Sequence, residues 1–276
     1  MTKPAASHAE GYESFYREFD SPLMRSIRRE AYGEDIGQHS WVNADELRED
    51  IHRLQLAPAH RFLDLGCGPC GPLAFVIKAT GCEGTGVELS RSALQLGRNR
   101  AGAFGIESLF SVQEGDLNEA LPFATDSFDA AASFDVVLHL RDRQAFLQEV
   151  ARVLRVGGRF LFTDAGVVTG PVSSEDVRRR SLHGYTQFVV AGWNEASLLA
   201  AGLRLIETED RTASVSRSAI GRLKALQGHR AELEELSGAA AVASQQEYLE
   251  TLIELSERRA VSRIMYLAET HATSLV

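Results

Sequence analysis

Ten residues constrain the fold more than any other part of the chain. Phe62-Leu63-Asp64-Leu65 is a short apolar run holding one acid. It leads directly into Gly66-Cys67-Gly68-Pro69-Cys70-Gly71. Glycines at such density break regular structure and let a ligand approach the main chain closely. The next stretch, about 73–78, is apolar and helical in character. A buried strand that turns on glycine into a helix opens a parallel α/β unit. Such a turn sits at the carboxyl edge of the sheet, where ligands bind in open α/β folds. The amides that begin the helix suit a polar ligand.

The rest of the chain repeats this grammar. Short apolar strands are expected at 61–65, 84–88, 109–114, 128–133 and 159–163, with a further one at 203–209. Helices fit between them at 73–78, 90–101 and 143–154. Strand–helix alternation predicts a parallel sheet covered on both faces. Before it, residues 1–57 read as helical: Phe15, Phe19, Leu23 and Ile27 recur at helical spacing, and Asn43 can cap a helix over 44–54. A glycine-punctuated polar and aromatic stretch, from Tyr32 to Trp41, lies between these helices and predicts a contact loop. After Asp210 the alternation stops. Residues 214–258 predict two helices broken near Ser237-Gly238. Residues 260–268, with Val261, Ile264, Met265 and Leu267, suit either a helix or a strand.

Two further acids end strands. Glu88 closes Gly86-Val87-Glu88, where a carboxylate can accept from both hydroxyls of a ribose. Asp116, after the third strand, can accept from the exocyclic amine of an adenine, although an acid there also caps turns. Asp64 can order the glycine loop or meet a cationic ligand. The loop formally satisfies Gly-x-Gly-x-x-Gly, a dinucleotide pattern that is weak alone. Pro69 removes one donor that a pyrophosphate would use.

A net charge of −9 and a pI of about 5.4 disfavour nucleic acid as a partner. The basic run Arg178-Arg179-Arg180 is expected to be a solvated helix face. The three cysteines, Cys67, Cys70 and Cys82, do not make a secreted disulfide framework. Cys67 and Cys70 form Cys-x-x-Cys without a second ligand pair, so no metal is expected. No signal peptide and no membrane-spanning run stand out, which predicts a cytoplasmic protein with no membrane partner.

Together these segments resemble the class I S-adenosylmethionine-dependent methyltransferases. Asp64-Leu65-Gly66-Cys67-Gly68-Pro69 is similar to that family's first motif and Gly86-Val87-Glu88-Leu89-Ser90 to its second. Gly115-Asp116-Leu117 is similar to its adenine-contacting segment. Phe128-Asp129 resembles the start of its fourth strand, and Val153-Leu154-Arg155-Val156-Gly157-Gly158 its approach to the fifth, with Val156 in place of the usual proline. The resemblance implies an α/β, Rossmann-like, seven-stranded, mostly parallel sheet with helices on both faces. Its last strand, antiparallel, would be 260–268. It further implies a helical N-terminal lid (1–57), a cofactor-binding core (58–213), a helical cap inserted before the last strand (214–258) and a closing strand (259–276).

The resemblance also implies roles. Asp64, Gly66, Cys67 and Gly68 would hold the methionine half of S-adenosylmethionine. Glu88 and Leu89 would hold the ribose, and Asp116 and Leu117 the adenine. Ser133 and Phe134 would lie beside the sulfonium. The subfamily looks like small-molecule enzymes of the sarcosine, sugar and natural-product type, acting on nitrogen or oxygen. An acceptor hydroxyl or ammonium must also lose a proton, which a nearby base can take, and His139 and His39 are the candidates. His139 can equally be structural. Tyr16, Trp41, His183 and Tyr185 are candidate acceptor contacts, with Tyr16, Tyr32 and Trp41 able to line the lid or cage a cation. Ser133-Phe134-Asp135-Val136 stands where base-amine methyltransferases of DNA carry a proline-rich segment. Other readings stay open: methylation of a carbon acceptor, a nicotinamide oxidoreductase, and a non-catalytic S-adenosylmethionine-binding protein. Oligomeric state is open too, a homodimer being one option.

Overall fold

The computed structural model describes residues 16–181 and 185–271. Of the helices whose bounds lie among the described residues, two come first: α1 (Pro22–Tyr32) and α2 (Ala44–Leu54). Ser21 caps α1 by accepting from the Met24 amide, and Pro22 sits in the first turn, where a missing N–H costs nothing. Asn43 caps α2 through the Glu46 amide at 2.9 Å.

The α/β core follows as β1 (Arg61–Leu65), α3 (Gly71–Thr80), β2 (Glu83–Glu88), α4 (Arg91–Phe104), β3 (Phe110–Glu114), β4 (Phe128–Phe134), a 3₁₀ turn (Val137–His139), α5 (Arg143–Val153) and β5 (Leu154–Val168). Next come α6 (Ser174–Arg180), β6 (Val189–Val190), α7 (Trp193–Ala200) and β7 (Leu203–Asp210). The chain finishes with α8 (Thr212–Gly228), α9 (Arg230–Ser237), α10 (Ala239–Glu257) and β8 (Val261–Thr270).

Sheet order is β3-β2-β1-β4-β5-β8-β7. β1 to β5 run parallel, while β8 is antiparallel to both β5 and β7. The order reverses between β1 and β4, so the glycine turn after β1 lies at the switch point where open α/β sheets bind ligands. Apolar residues cover both faces. Phe62, Leu73, Ile77 and Leu161 belong to one cluster, and Leu63, Phe128, Phe146 and Phe160 to the other.

The Rossmann-like fold is present, with seven strands on its main path. An eighth strand of two residues, β6, pairs with β5 off that path. The segment left open between helix and strand is strand β8. It threads between β5 and β7, and with both faces covered its residues are buried almost without a break, so no alternation marks it as a strand. β5 is longer than expected because its second half ladders against β8 through Val168. The insertion between β7 and β8 is three helices, not two. The break at Gly238 occurs as expected, and a second falls at His229.

Candidate active site

The turn after β1 is built on left-handed backbone. Gly66 and Gly68 have φ of 76° and 52°, and Cys70 adopts 58°. The amides of Gly66 and Cys67 both donate to the Val87 carbonyl, at 2.9 and 3.1 Å, which ties the turn to β2. A Cβ on Gly66 would stand 2.6 Å from the Val136 side chain, so the close packing itself demands glycine. Glu88 braces the far side: its Oε2 accepts from the Gly68 amide at 3.1 Å and its Oε1 from the Ser90 amide at 2.9 Å. A carboxylate oxygen accepts more than one hydrogen bond, so this brace is compatible with a ribose.

Asp64 lies at the root of the turn, 1 % exposed, and its Oδ2 has no hydrogen-bond partner. Burial, assisted by the nearby charge of Glu88, pushes its carboxyl up to about 8. A buried carboxylate in that condition is missing a cation. The ammonium of the methionine half of S-adenosylmethionine supplies one, so the turn fits that cofactor.

Asp116 follows β3 two residues after Glu114, which pairs with Glu88 across the ladder. Its Oδ1 accepts from the amide and side chain of Asn118 at 2.9 and 2.8 Å. Asp116 therefore does cap a local turn, and it does so at the same sheet edge as Asp64 and Glu88. Leu117 is buried, and Leu89, the residue after Glu88, is 40 % exposed. Ser133 is buried with its hydroxyl donating to the Leu65 carbonyl at 2.9 Å, which fixes β4 to β1. Phe134 is buried at the β4 tip.

The residue after it was missed by sequence reasoning. Asp135 has φ of 60° and anchors a buried charge network. Its Oδ1 accepts from Thr163 and from Arg263 Nε, at 2.9 and 2.8 Å, and its Oδ2 from the Trp41 amide at 2.9 Å. Burial alone would push this carboxyl up, but the Arg263 guanidinium and the amide of Trp41 outweigh it and hold it below the usual range. Arg263, fully buried on β8, also donates to Glu46 at 2.8 Å, and Arg211 pairs with Asp50. One network thus joins the N-terminal segment to β4 and β8. The detectable signal was a lone arginine inside the apolar run Val261-Ser262-Arg263-Ile264, since a buried charge must find a partner.

The N-terminal segment closes over the glycine turn. A Cβ on Gly68 would meet the Tyr16 hydroxyl at 3.2 Å, and one on Gly71 would meet the Gly37 carbonyl group at 2.3 Å. Tyr16 bonds His39 Nδ1 at 2.8 Å, and both rings pack edge-on to Phe19. Tyr16 and His39 therefore stand next to the turn. Trp41 is not arranged as a cage for a ligand cation. The Arg222 guanidinium lies over its ring at 4.2 Å and over Tyr32 at 5.0 Å, and Tyr248 stacks at 6.4 Å. Arg222 also donates to the His39 and Ser40 carbonyls, so it clamps this segment from the cap side.

His139 ends the 3₁₀ turn beyond β4. Its Nδ1 lies 3.0 Å from the Tyr185 carbonyl, an acceptor, which places a proton on that nitrogen. The Tyr185 ring is 46 % exposed. His183 lies outside the described residues. Cys67 and Cys70 are free thiols with sulfurs 3.4 Å apart. Burial pushes the Cys67 thiol up, and the neighbouring Cys70 adds to this, which suits packing rather than redox or metal chemistry. No metal-binding group of His, Cys, Asp and Glu occurs among the described residues. Of the basic run, Arg178 and Arg179 pair with surface acids as a solvated face does, whereas Arg180 is buried. A groove of about 670 Å³ opens elsewhere, among Tyr32, Asp45, Glu49, Asp210 and Arg217.

Comparison with known proteins agrees with this geometry. Residues 63–162 match the methyltransferase domain family Methyltransf_11. The chain is 29 % identical over 226 residues to the methyltransferase GfsG of Streptomyces halstedii, covering 75 % of this chain and 80 % of that protein. Its fold is similar to that of the [4+2]-cyclase SpnF, with a TM-score of 0.78 at 20 % identity over 99 % of this chain and 98 % of the other. It is also similar to phosphoethanolamine N-methyltransferase 2 of Haemonchus contortus, solved with phosphomonomethylethanolamine and S-adenosylhomocysteine. There the TM-score is 0.79 at 18 % identity, over 97 % of this chain and 61 % of that one. A glycine turn at the sheet's switch point, a buried acid wanting a cation and a matching domain lead to one assignment: the chain is an S-adenosylmethionine-dependent methyltransferase of class I.

Proposed function

We propose that this enzyme methylates nitrogen or oxygen of a small metabolite or natural product. Its residues bind the methyl donor at the β1–β2–β3 edge and the acceptor between the N-terminal segment and the α8–α10 cap. The observation that carries the reading is the orphaned Asp64 carboxylate beneath the glycine turn. S-adenosylmethionine supplies a methyl group on a cationic sulfur, ready for in-line displacement. In this reading Asp64 meets the ammonium, with the amides of the Gly66–Gly68 turn beside it. Glu88 and Leu89 take the ribose, Asp116 and Leu117 the adenine. Ser133 and Phe134 shape the wall at the β4 tip, more by fixing backbone than by offering side chains.

The chain's main contribution to rate is alignment and exclusion of water, which can account for much of the acceleration in a bimolecular transfer. Tyr16 and His39 cover the donor side. His139 stands past the β4 tip as the proton acceptor: with Nδ1 donating to the Tyr185 carbonyl, the neutral ring carries its basic lone pair on Nε2. Tyr185, whose carbonyl faces His139, is a further candidate for contact with the acceptor, and His183 is carried as a candidate from the sequence alone. Three buried, free cysteines suit a reducing compartment, and we place the enzyme in the cytoplasm. No described helix is long and apolar enough to cross a membrane.

The test is direct. S-adenosylhomocysteine should stabilise the protein saturably while NAD does not, and labelled methyl should pass from S-adenosylmethionine to a member of a metabolite panel. Stabilisation by NAD alone would overturn the assignment of the site. Transfer of methyl to a carbon acceptor but to no amine or alcohol would overturn the nitrogen-or-oxygen reading.

A further inference from the structure

Among the described residues five arginines are buried: Arg28, Arg143, Arg180, Arg211 and Arg263. Four are paired with carboxylates, namely Asp20 and Asp35, Asp164, Asp50, and Asp135 with Glu46. Arg180 is the exception. It is 4 % exposed at the end of α6, and its partners are neutral: the Tyr248 hydroxyl at 2.7 Å, the Ala165 carbonyl at 3.5 Å and the Tyr248 ring at 4.8 Å. A guanidinium cannot shed its proton at physiological pH, so its burial without a counter-charge is costly.

Arg180 lines a cavity of about 10 Å³ under the cap, closed by Ala165 of β5, Ser262 and Arg263 of β8, and Leu252 and Ser256 of α10. The Nη2 of Arg263, another lining residue, is buried with no hydrogen-bond partner. Its other nitrogens are spent on Asp135 and Glu46. Among the described residues, two arginines and two serines therefore line one small space, and no acid does. The place is apt: Ala165 lies two residues beyond Thr163, which bonds Asp135 at the β4 tip.

We infer that Arg180, with the open nitrogen of Arg263, binds an anionic group of the methyl acceptor, a carboxylate or a phosphate. This rests on the methyltransferase reading for its role and on the buried unpaired charge for its location. A planar guanidinium fork matches either anion. The cavity has room for about one water molecule, so the anion enters by widening the seam between α10 and β8.

The experiment is thermal unfolding of the full chain saturated with S-adenosylhomocysteine, titrated with inorganic phosphate or acetate against chloride at equal ionic strength. The wild type should show a saturable rise with phosphate, acetate or both, on the order of 5 °C at a hundredfold excess over Kd. The stronger arm identifies the acceptor's group. Arg180→Met keeps the stem and removes the charge. It should abolish that rise, leave the S-adenosylhomocysteine shift unchanged, and melt no lower than wild type without ligand. Arg180→Lys should retain a weakened response. The inference fails if both anions act only as chloride does, or if Arg180→Met responds like wild type. It also fails if Arg180→Met melts lower or does not fold, since Arg180 would then be structural. Competition between phosphate and S-adenosylhomocysteine would overturn it by placing Arg180 at the donor's own carboxylate. A wild type that ignores S-adenosylhomocysteine refutes the methyltransferase reading instead, and the anion titrations are then read on the unliganded protein.

Discussion

Asp64→Asn should strengthen the unliganded fold and weaken cofactor binding, with a pH dependence that identifies the cause. In the unfolded chain an aspartate titrates near about 3.9, whereas burial and Glu88 raise Asp64 to about 8 in the folded state. Between those values the native state holds a proton that the unfolded state has released. Wild-type stability therefore carries a contribution that is whole below the unfolded pKa and falls as pH rises, by about 1.4 kcal/mol per unit, until pH passes about 8. Asparagine has no such titration. Its buried amide adds a pH-independent cost of about 1–3 kcal/mol if unpartnered. From pH 5 to pH 8 the variant should gain about 4 kcal/mol relative to wild type, as an order of magnitude. It should go from near parity at pH 5 to about 4 kcal/mol more stable at pH 8. The assay is denaturant unfolding of both proteins at several pH values, paired with calorimetric titration of S-adenosylhomocysteine. Loss of a charge-assisted bond of about 1.5–3 kcal/mol predicts affinity reduced about 10- to 100-fold. A stability difference flat with pH would refute the buried-charge argument, and unchanged affinity would remove Asp64 from the donor site.

Three other perturbations probe the frame around the site. Asp135→Ala leaves Arg263 with one acid and the Trp41 amide without its acceptor, so it should cost about 3–5 kcal/mol in denaturant unfolding. Asp135 titrates below the usual range in the folded state, so wild-type stability from this group is present above about pH 4 and lost as pH falls further, and that acid limb should flatten in the variant. Gly71→Ala drives a Cβ to 2.3 Å from the Gly37 carbonyl group, which should detach the N-terminal segment and raise protease sensitivity near residues 33–40. Tyr16→Phe removes the bond to His39 and should weaken S-adenosylhomocysteine binding several-fold, by about 1 kcal/mol, without shifting the global melt greatly.

Much of the fold was legible in the chain. The run from Phe62 to Gly71 determined the strand, the turn and the helix, because local chemistry alone demands them: an apolar strand cannot continue through glycines held at positive φ. Glu88 and Asp116 were legible for the same reason, as acids closing strands whose parallel order brings their ends to one edge. Tertiary structure decided the rest. β8 could be read as helix or strand until its neighbours β5 and β7 were known, since a segment buried on all sides loses its periodicity. The basic run looked uniform, yet only folding separated surface Arg178 and Arg179 from buried Arg180. The network of Asp135, Arg263, Glu46, Arg211 and Asp50 joins residues up to 217 positions apart. Such charges are chosen by what surrounds them in space, and pattern along a chain does not encode that distance.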